Sequence, residues 1–218
     1  MKMPAVTTST GKLLRSSRFT LARMRANPNA KKHIVDLEPH HKALKAAQLA
    51  GNDADDEVVD ADATVFEVDY AAREQLTDLQ LNATAFVRRD YEHPLYRALF
   101  PKGLGDVKKL QRGELRDDVA RVRSVLTDLA AEHALKKHAA PLAKTFKAWE
   151  APLLGLTKAN DAMGKADVAL KAARSAWFDA YDGLAGSLRK EFPRQRNFVD
   201  SFFPEVKSVK VKPKGVEG

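Results

Sequence analysis

From Leu153 to Phe192 the chain repeats itself every seven residues. Leu156, Met163, Leu170, Trp177 and Leu184 form one row, and Ala159, Ala166, Ala173 and Ala180 form a second row offset by three. This 3-4 alternation places both rows on one stripe of an α-helix. A third row, Ala162, Ala169, Ala176 and Gly183, is also small. Small rows let a neighbouring backbone approach to the short end of the usual ~8–10 Å interaxial range. At ~1.5 Å per residue such a helix runs roughly 58 Å. A rod of that length with one apolar stripe is not stable alone in water, so the rest of the chain must supply helices that cover it.

Shorter stripes provide the candidates. Ile34, Leu37, His41, Leu44 and Ala47 predict a first helix, bent at Pro39 or beginning there, and stopped by Gly51-Asn52. Asp53, Asp55, Asp56 and Glu57 then read as acids at the N-terminus of a second helix, where capping and the macrodipole favour carboxylates. Its stripe is Val65, Val68, Ala72, Leu76, Leu79, Ala83 and Phe86. Leu115, Val119, Val122, Leu126 and Leu129 mark a third helix that reaches Lys137, with His133 on its core side. Residues 141–192 read as one element bent near Pro152. Leu99-Phe100-Pro101, with Gly103 and Gly105 after it, and Phe192-Pro193 through Phe202-Phe203-Pro204 are apolar turns that predict end caps. The expected fold is all-α: an elongated, antiparallel up-and-down four-helix bundle with Phe-Pro end caps, spanning residues 29–204.

Composition agrees with a helical reading. Of the 218 residues, 44% are hydrophobic, 30% charged and only 7% aromatic. No apolar run approaches the ~18 residues of a membrane-crossing helix, and the start lacks the apolar segment of a secretory signal. The absence of cysteine excludes disulfides, thiolate metal sites and a cysteine nucleophile, and suits a reducing, cytoplasmic setting.

The net charge of +8 is unevenly placed. Residues 1–35 hold eight basic side chains and no acid, and residues 205–218 hold four lysines against two glutamates. The span between them carries 25 basic and 27 acidic residues and is close to neutral. Residues 1–28 therefore read as a basic flexible arm and 205–218 as a basic flexible tail. Lys12, Arg15, Arg18, Arg23, Arg25, Lys31 and Lys32 are the candidate anion-binding residues, with Leu13, Leu14, Ser17, Leu21 and Met24 along the opposite side of a short amphipathic helix. Three readings fit such an arm: loose docking on the bundle, contact with an anionic partner (nonspecific nucleic acid or anionic membrane), or a transit peptide. Under the binding reading, deleting residues 1–32 abolishes binding and leaves the bundle folded.

Leu95-Tyr96-Arg97-Ala98-Leu99-Phe100-Pro101-Lys102-Gly103-Leu104, and the later Trp177, Tyr181, Leu188, Phe192-Pro193, Phe198-Val199 and Phe202-Phe203-Pro204, resemble Ala-rich helical proteins of large-genome bacteria, myxobacteria among them. The likeness covers Asp56 to Pro204. Those proteins carry no assigned activity, so it implies a helical fold and no chemistry.

Catalytic patterns are missing. No Gly-rich phosphate loop follows a strand pattern, and no Ser stands in a Gly-x-Ser-x-Gly elbow. The acidic run from Asp53 fails as a calcium loop, because Val58 takes the place of the sixth-position Gly and Thr64 that of the twelfth-position Glu. No Glu-x-x-His occurs as a di-iron bundle requires, and Pro39 interrupts the spacing of Glu38 and His41. His40 and His41 point about 100° apart on a helix, and His133 and His138 are off a common face. No catalytic, cofactor-binding or metal-binding residue is therefore assigned. The expected role is a non-enzymatic structural or protein-interaction bundle that self-associates or binds a protein partner. The alternatives are nucleic-acid or anionic-surface binding through the arm, and a bundle metal carrier or enzyme.

Overall fold

The computed structural model describes residues 4–101 and 109–204, and these are all-α with no strand. The helices are α1 (Thr10–Arg25), α2 (Ile34–Phe86), α3 (Pro94–Leu99), α4 (Arg112–Asp128), α5 (Ala139–Ala148), α6 (Glu150–Glu191) and α7 (Arg196–Asp200). Short 3-10 turns, Lys31–His33 and Ala134–His138, lead into α2 and α5. The all-α expectation is met. The core does not run as one body from 29 to 204 but divides into two compact units. Residues 1–54 with 163–218 form the first, and residues 55–162 form the second.

In the first unit, α1 is a structural member and not a flexible arm. Leu13, Ser17, Leu21 and Met24 are buried at 4-4-3 spacing, with Ser16 and Thr20 beside them. Together with Leu37, Leu44, Trp177, Tyr181, Leu184, Leu188, Val199 and Phe202 they close one core. Three hydroxyls on the inner face are made compatible with burial by back-bonding to carbonyls one turn earlier: Ser16 to Lys12, Ser17 to Leu13 and Thr20 to Ser16. The single Thr20 hydroxyl proton is shared between the Ser16 carbonyl and the nearer Phe202 carbonyl at 2.8 Å, and Oγ1 lies 3.1 Å from the Tyr181 hydroxyl. Burial pushes that phenol up to about 12, against a smaller opposing effect of the Thr20 bond. Arg174 reaches back to the chain start, donating to Thr10 Oγ1 at 2.7 Å and to the Val6 and Thr8 carbonyls at 2.8 Å each. Removing residues 1–32 would therefore strip Leu13, Leu21 and Met24 from the core.

The second unit is built around Val65, Leu76, Leu79, Leu115, Val119, Val122, Leu126, Leu142 and Trp149. Tyr96, Leu99 and Phe100, from one of the expected apolar turns, join this core, while Gly103 and Gly105 lie outside the described residues. His93 caps α3 by accepting the Leu95 amide at Nδ1, and Arg121 gathers the Ala98 and Leu99 carbonyls. Gln111 and Glu114 form a reciprocal capping box at the start of α4. Asp69 is buried but satisfied: it accepts from Trp149 Nε1 at 2.7 Å and from Arg112 Nε at 3.1 Å.

Several boundaries differ from expectation. Gly51-Asn52 does not end a helix, and α2 runs through it. Gly in an Ala-rich helix costs about 1 kcal/mol, less than neighbouring turns recover, since Leu44 and Ala54 are buried on either side. The acids from Asp53 to Glu57 consequently lie mid-helix and cap nothing. Pro39 forfeits one bond near the start of α2 without breaking it. The third helix stops at Asp128, and His133 turns to cap the Leu135 amide and pack at 4.7 Å on Phe86. Residues 141–192 form two helices parted at Trp149, because Pro152 suits the first turn of α6. Along α6, Trp177 and Leu184 are fully buried, whereas Leu156, Met163 and Leu170 are half-buried. The third row of small residues is largely uncovered: Ala169, Ala176 and Gly183 are exposed, so no neighbour uses it for close approach.

Candidate anion-binding groove

Docking of α1 sorts the seven arm cations. Arg23 donates to Ser201 Oγ at 3.0 Å and lies 5.9 Å from the Phe202 ring centre. Lys32 pairs with Glu191 at 2.9 Å, and His33 Nε2 meets the same carboxylate at 2.7 Å. Those two partners, Lys32 first, hold Glu191 below its ordinary value. Lys12 and Lys31 are exposed and lie outside the groove that Arg15, Arg18 and Arg25 line. Arg15, Arg18 and Arg25 come together instead, because they share the face of α1 turned away from the core toward the start of α2.

That face forms one side of a groove of about 590 Å³, lined by Gly11, Leu14, Arg15, Arg18, Arg25, His41 and Lys45. Arg25 is partly neutralised by Glu38 at 3.0 Å. Among the described residues, no carboxylate pairs with Arg15, Arg18 or Lys45. His41 Nδ1 lies 2.7 Å from Ser17 Oγ, a bond that ties α2 to the buried side of α1 and fixes the imidazole at the groove wall. Its pKa is lowered from the ordinary 6.5, first by burial and then by Lys45 and Arg25, with Arg18 adding less and Glu38 opposing. Three separate cations acting on one imidazole make the groove a region of positive potential.

Sequence reasoning found Arg15, Arg18 and Arg25 but missed His41 and Lys45. Their one-turn spacing on α2 was legible; their approach to α1 was not, because nothing local announces a contact across 24 residues. His41 pairs with Ser17 in the first unit, and His133 packs on Phe86 in the second. Among the described residues no group of three or more His, Asp or Glu side chains could hold a metal ion, and no helix is long and apolar enough to cross a membrane.

No family model, curated protein or solved structure matches the chain. The resemblance to Ala-rich bacterial helical proteins thus rests on the quoted residues alone.

Proposed function

We propose that the chain is a non-enzymatic binding protein whose groove between α1 and the start of α2 takes the phosphate backbone of a nucleic acid. The observation that carries this reading is the juxtaposition of Arg15, Arg18 and Lys45 with no carboxylate partner among the described residues. Cations left unpaired beside one another repel, and an anion relieves that repulsion. A membrane surface fits α1 less well. An interfacial helix needs an apolar face to bury in lipid, and the apolar face of α1 is already inside the core. The contact is with phosphate and not with bases, so binding is sequence-independent.

Fluorescence anisotropy with a labelled DNA duplex tests the proposal. Three phosphate contacts give a salt slope near −2.7, so affinity falls roughly 40-fold between about 50 and 200 mM salt. The double variant Arg15→Glu, Arg18→Glu binds at least ten times more weakly at low salt with an unchanged helical circular dichroism spectrum. In the wild type, the His41 imidazole titrates at higher pH when DNA is bound. Wild-type affinity in the double variant overturns the reading, and binding to anionic vesicles in place of DNA reassigns the groove to a lipid surface.

A further inference from the structure

The acids from Asp55 to Asp60 sit in the interior of α2, many turns from its N-terminus, where the macrodipole does nothing for them. Residues 55–78 of this helix hold nine acids and one base, Arg73. Arg112 matches Asp62 and Asp69, and Asp78 faces His138. Among the described residues, six of the nine have no basic partner, and four of those six are Asp56, Asp60, Glu67 and Glu74. At 100° per residue these four fall within about 40° of one another on the helix circumference. Like charges one turn apart, as at Asp56 and Asp60, destabilise a helix, so folding of this chain alone does not account for the arrangement.

An apolar row runs beside these carboxylates. Val59, Ala63, Phe66 and Tyr70 follow 4-3-4 spacing, with Leu81 three turns further on. Val59 and Phe66 are each 61% exposed, Tyr70 56% and Leu81 64%. Phe66 and Tyr70 also wall a groove of about 360 Å³ completed by Asp69, Arg73, Leu110, Gln111 and Arg112. Exposed aromatics beside a groove are the usual anchor of a protein contact.

We infer that this face of α2 docks a basic amphipathic helix from a partner protein. The partner's apolar stripe covers Val59, Phe66 and Tyr70, one of its side chains enters the groove, and its Lys or Arg residues face Asp56, Asp60, Glu67 and Glu74. The helical spacing of the apolar row selects a helix, whose own i, i+3, i+4 and i+7 positions match it. The single sign of the flank selects basic charge. A second copy presenting this face would set acid against acid across a twofold axis, which repels.

The test uses the full chain and two synthetic peptides of roughly 18 residues, about five helical turns. One carries leucines at helical spacing with lysines elsewhere, and the other replaces every lysine with glutamate. By isothermal titration the lysine peptide binds and the glutamate peptide does not. Phe66→Ala with Tyr70→Ala weakens binding at least tenfold at every salt concentration. Glu67→Lys with Glu74→Lys weakens it at low salt and progressively less as salt rises. All four side chains are exposed, so helical content stays at the wild-type level. Failure of the lysine peptide to bind, or unchanged affinity in the aromatic double variant, overturns the inference. A dimer by light scattering that Phe66→Ala dissociates, with no peptide binding, assigns the face to a second copy instead.

Discussion

The two units differ in how they come by their charge. The first holds 21 basic and 10 acidic residues, a net +11, and the second holds 16 basic and 19 acidic, a net −3. In the first, the excess collects on the outer face of a helix whose inner face is locked by buried hydroxyls. In the second, it collects on one flank of α2 beside exposed aromatics. Much of this split is already in the sequence, since residues 1–35 and 205–218 supply +10 of the first unit's +11. Folding adds to each charged run the second wall of its groove: the start of α2 beside α1, and Leu110 to Arg112 beside Phe66 and Tyr70.

The largest effects should come from the two buried tryptophans, one in each core. Trp177 stacks on Tyr181 with ring centres 4.5 Å apart, and Trp149 holds the buried Asp69 carboxylate. Truncating either to Ala should cost about 3–5 kcal/mol. If the units are separately cooperative, amide exchange in Trp177→Ala speeds at Leu184, Leu188 and Val199 while Leu76, Leu79 and Val122 keep their protection; Trp149→Ala gives the converse. Equal loss of protection in both cores would show that the chain unfolds as one body.

A smaller change sharpens the contrast from the stabilising side. A Cβ at Gly51 meets nothing within 4 Å, so Gly51→Ala should raise stability by about 1 kcal/mol through helix propensity. Gly51 belongs to the first unit, and the urea midpoint of that unit should rise. An unchanged midpoint would mean that α2 is not helical there in solution.

The smallest effect is with pH. His41 and His138, one in each unit, are both shifted below 6.5, with burial the largest cause. In the unfolded chain each takes its proton near pH 6.5, and in the folded chain only at lower pH. Between those points the unfolded state binds more protons, so stability is lost as pH falls below about 6.5. Asp78, 3.5 Å from His138, offsets part of the shift in the second unit. Urea midpoints at about pH 7.5 and 5.5 should converge in His41→Gln and in His138→Gln relative to wild type. A gap as wide as the wild type's in both variants would remove the imidazoles as the cause.

Much of the helical pattern was legible in the sequence. Trp177 and Leu184, the stripe from Val65 to Ala83 apart from half-buried Val68, and that from Leu115 to Leu126 are buried where their periodicity places them. Three features were not legible, each for a physical reason. The inner face of α1 is half hydroxyl, and its burial depends on back-bonds that periodicity cannot register. The path through Gly51-Asn52 depends on burial either side of a locally poor helix former. The second wall of the basic groove comes from a neighbouring helix, so only its α1 half could be read.

The first unit draws on both ends of the chain, and this bears on how the protein is born. Its core joins Leu13, Leu21 and Met24 to Trp177, Leu188 and Phe202, so it cannot close until the chain through Phe202 has left the ribosome. The second unit is contiguous from Asp55 to Ala162 and has all its parts earlier. α1 is synthesised before the second unit but can pack only after it, and until then the nascent chain carries α1's cations and its uncovered leucines together.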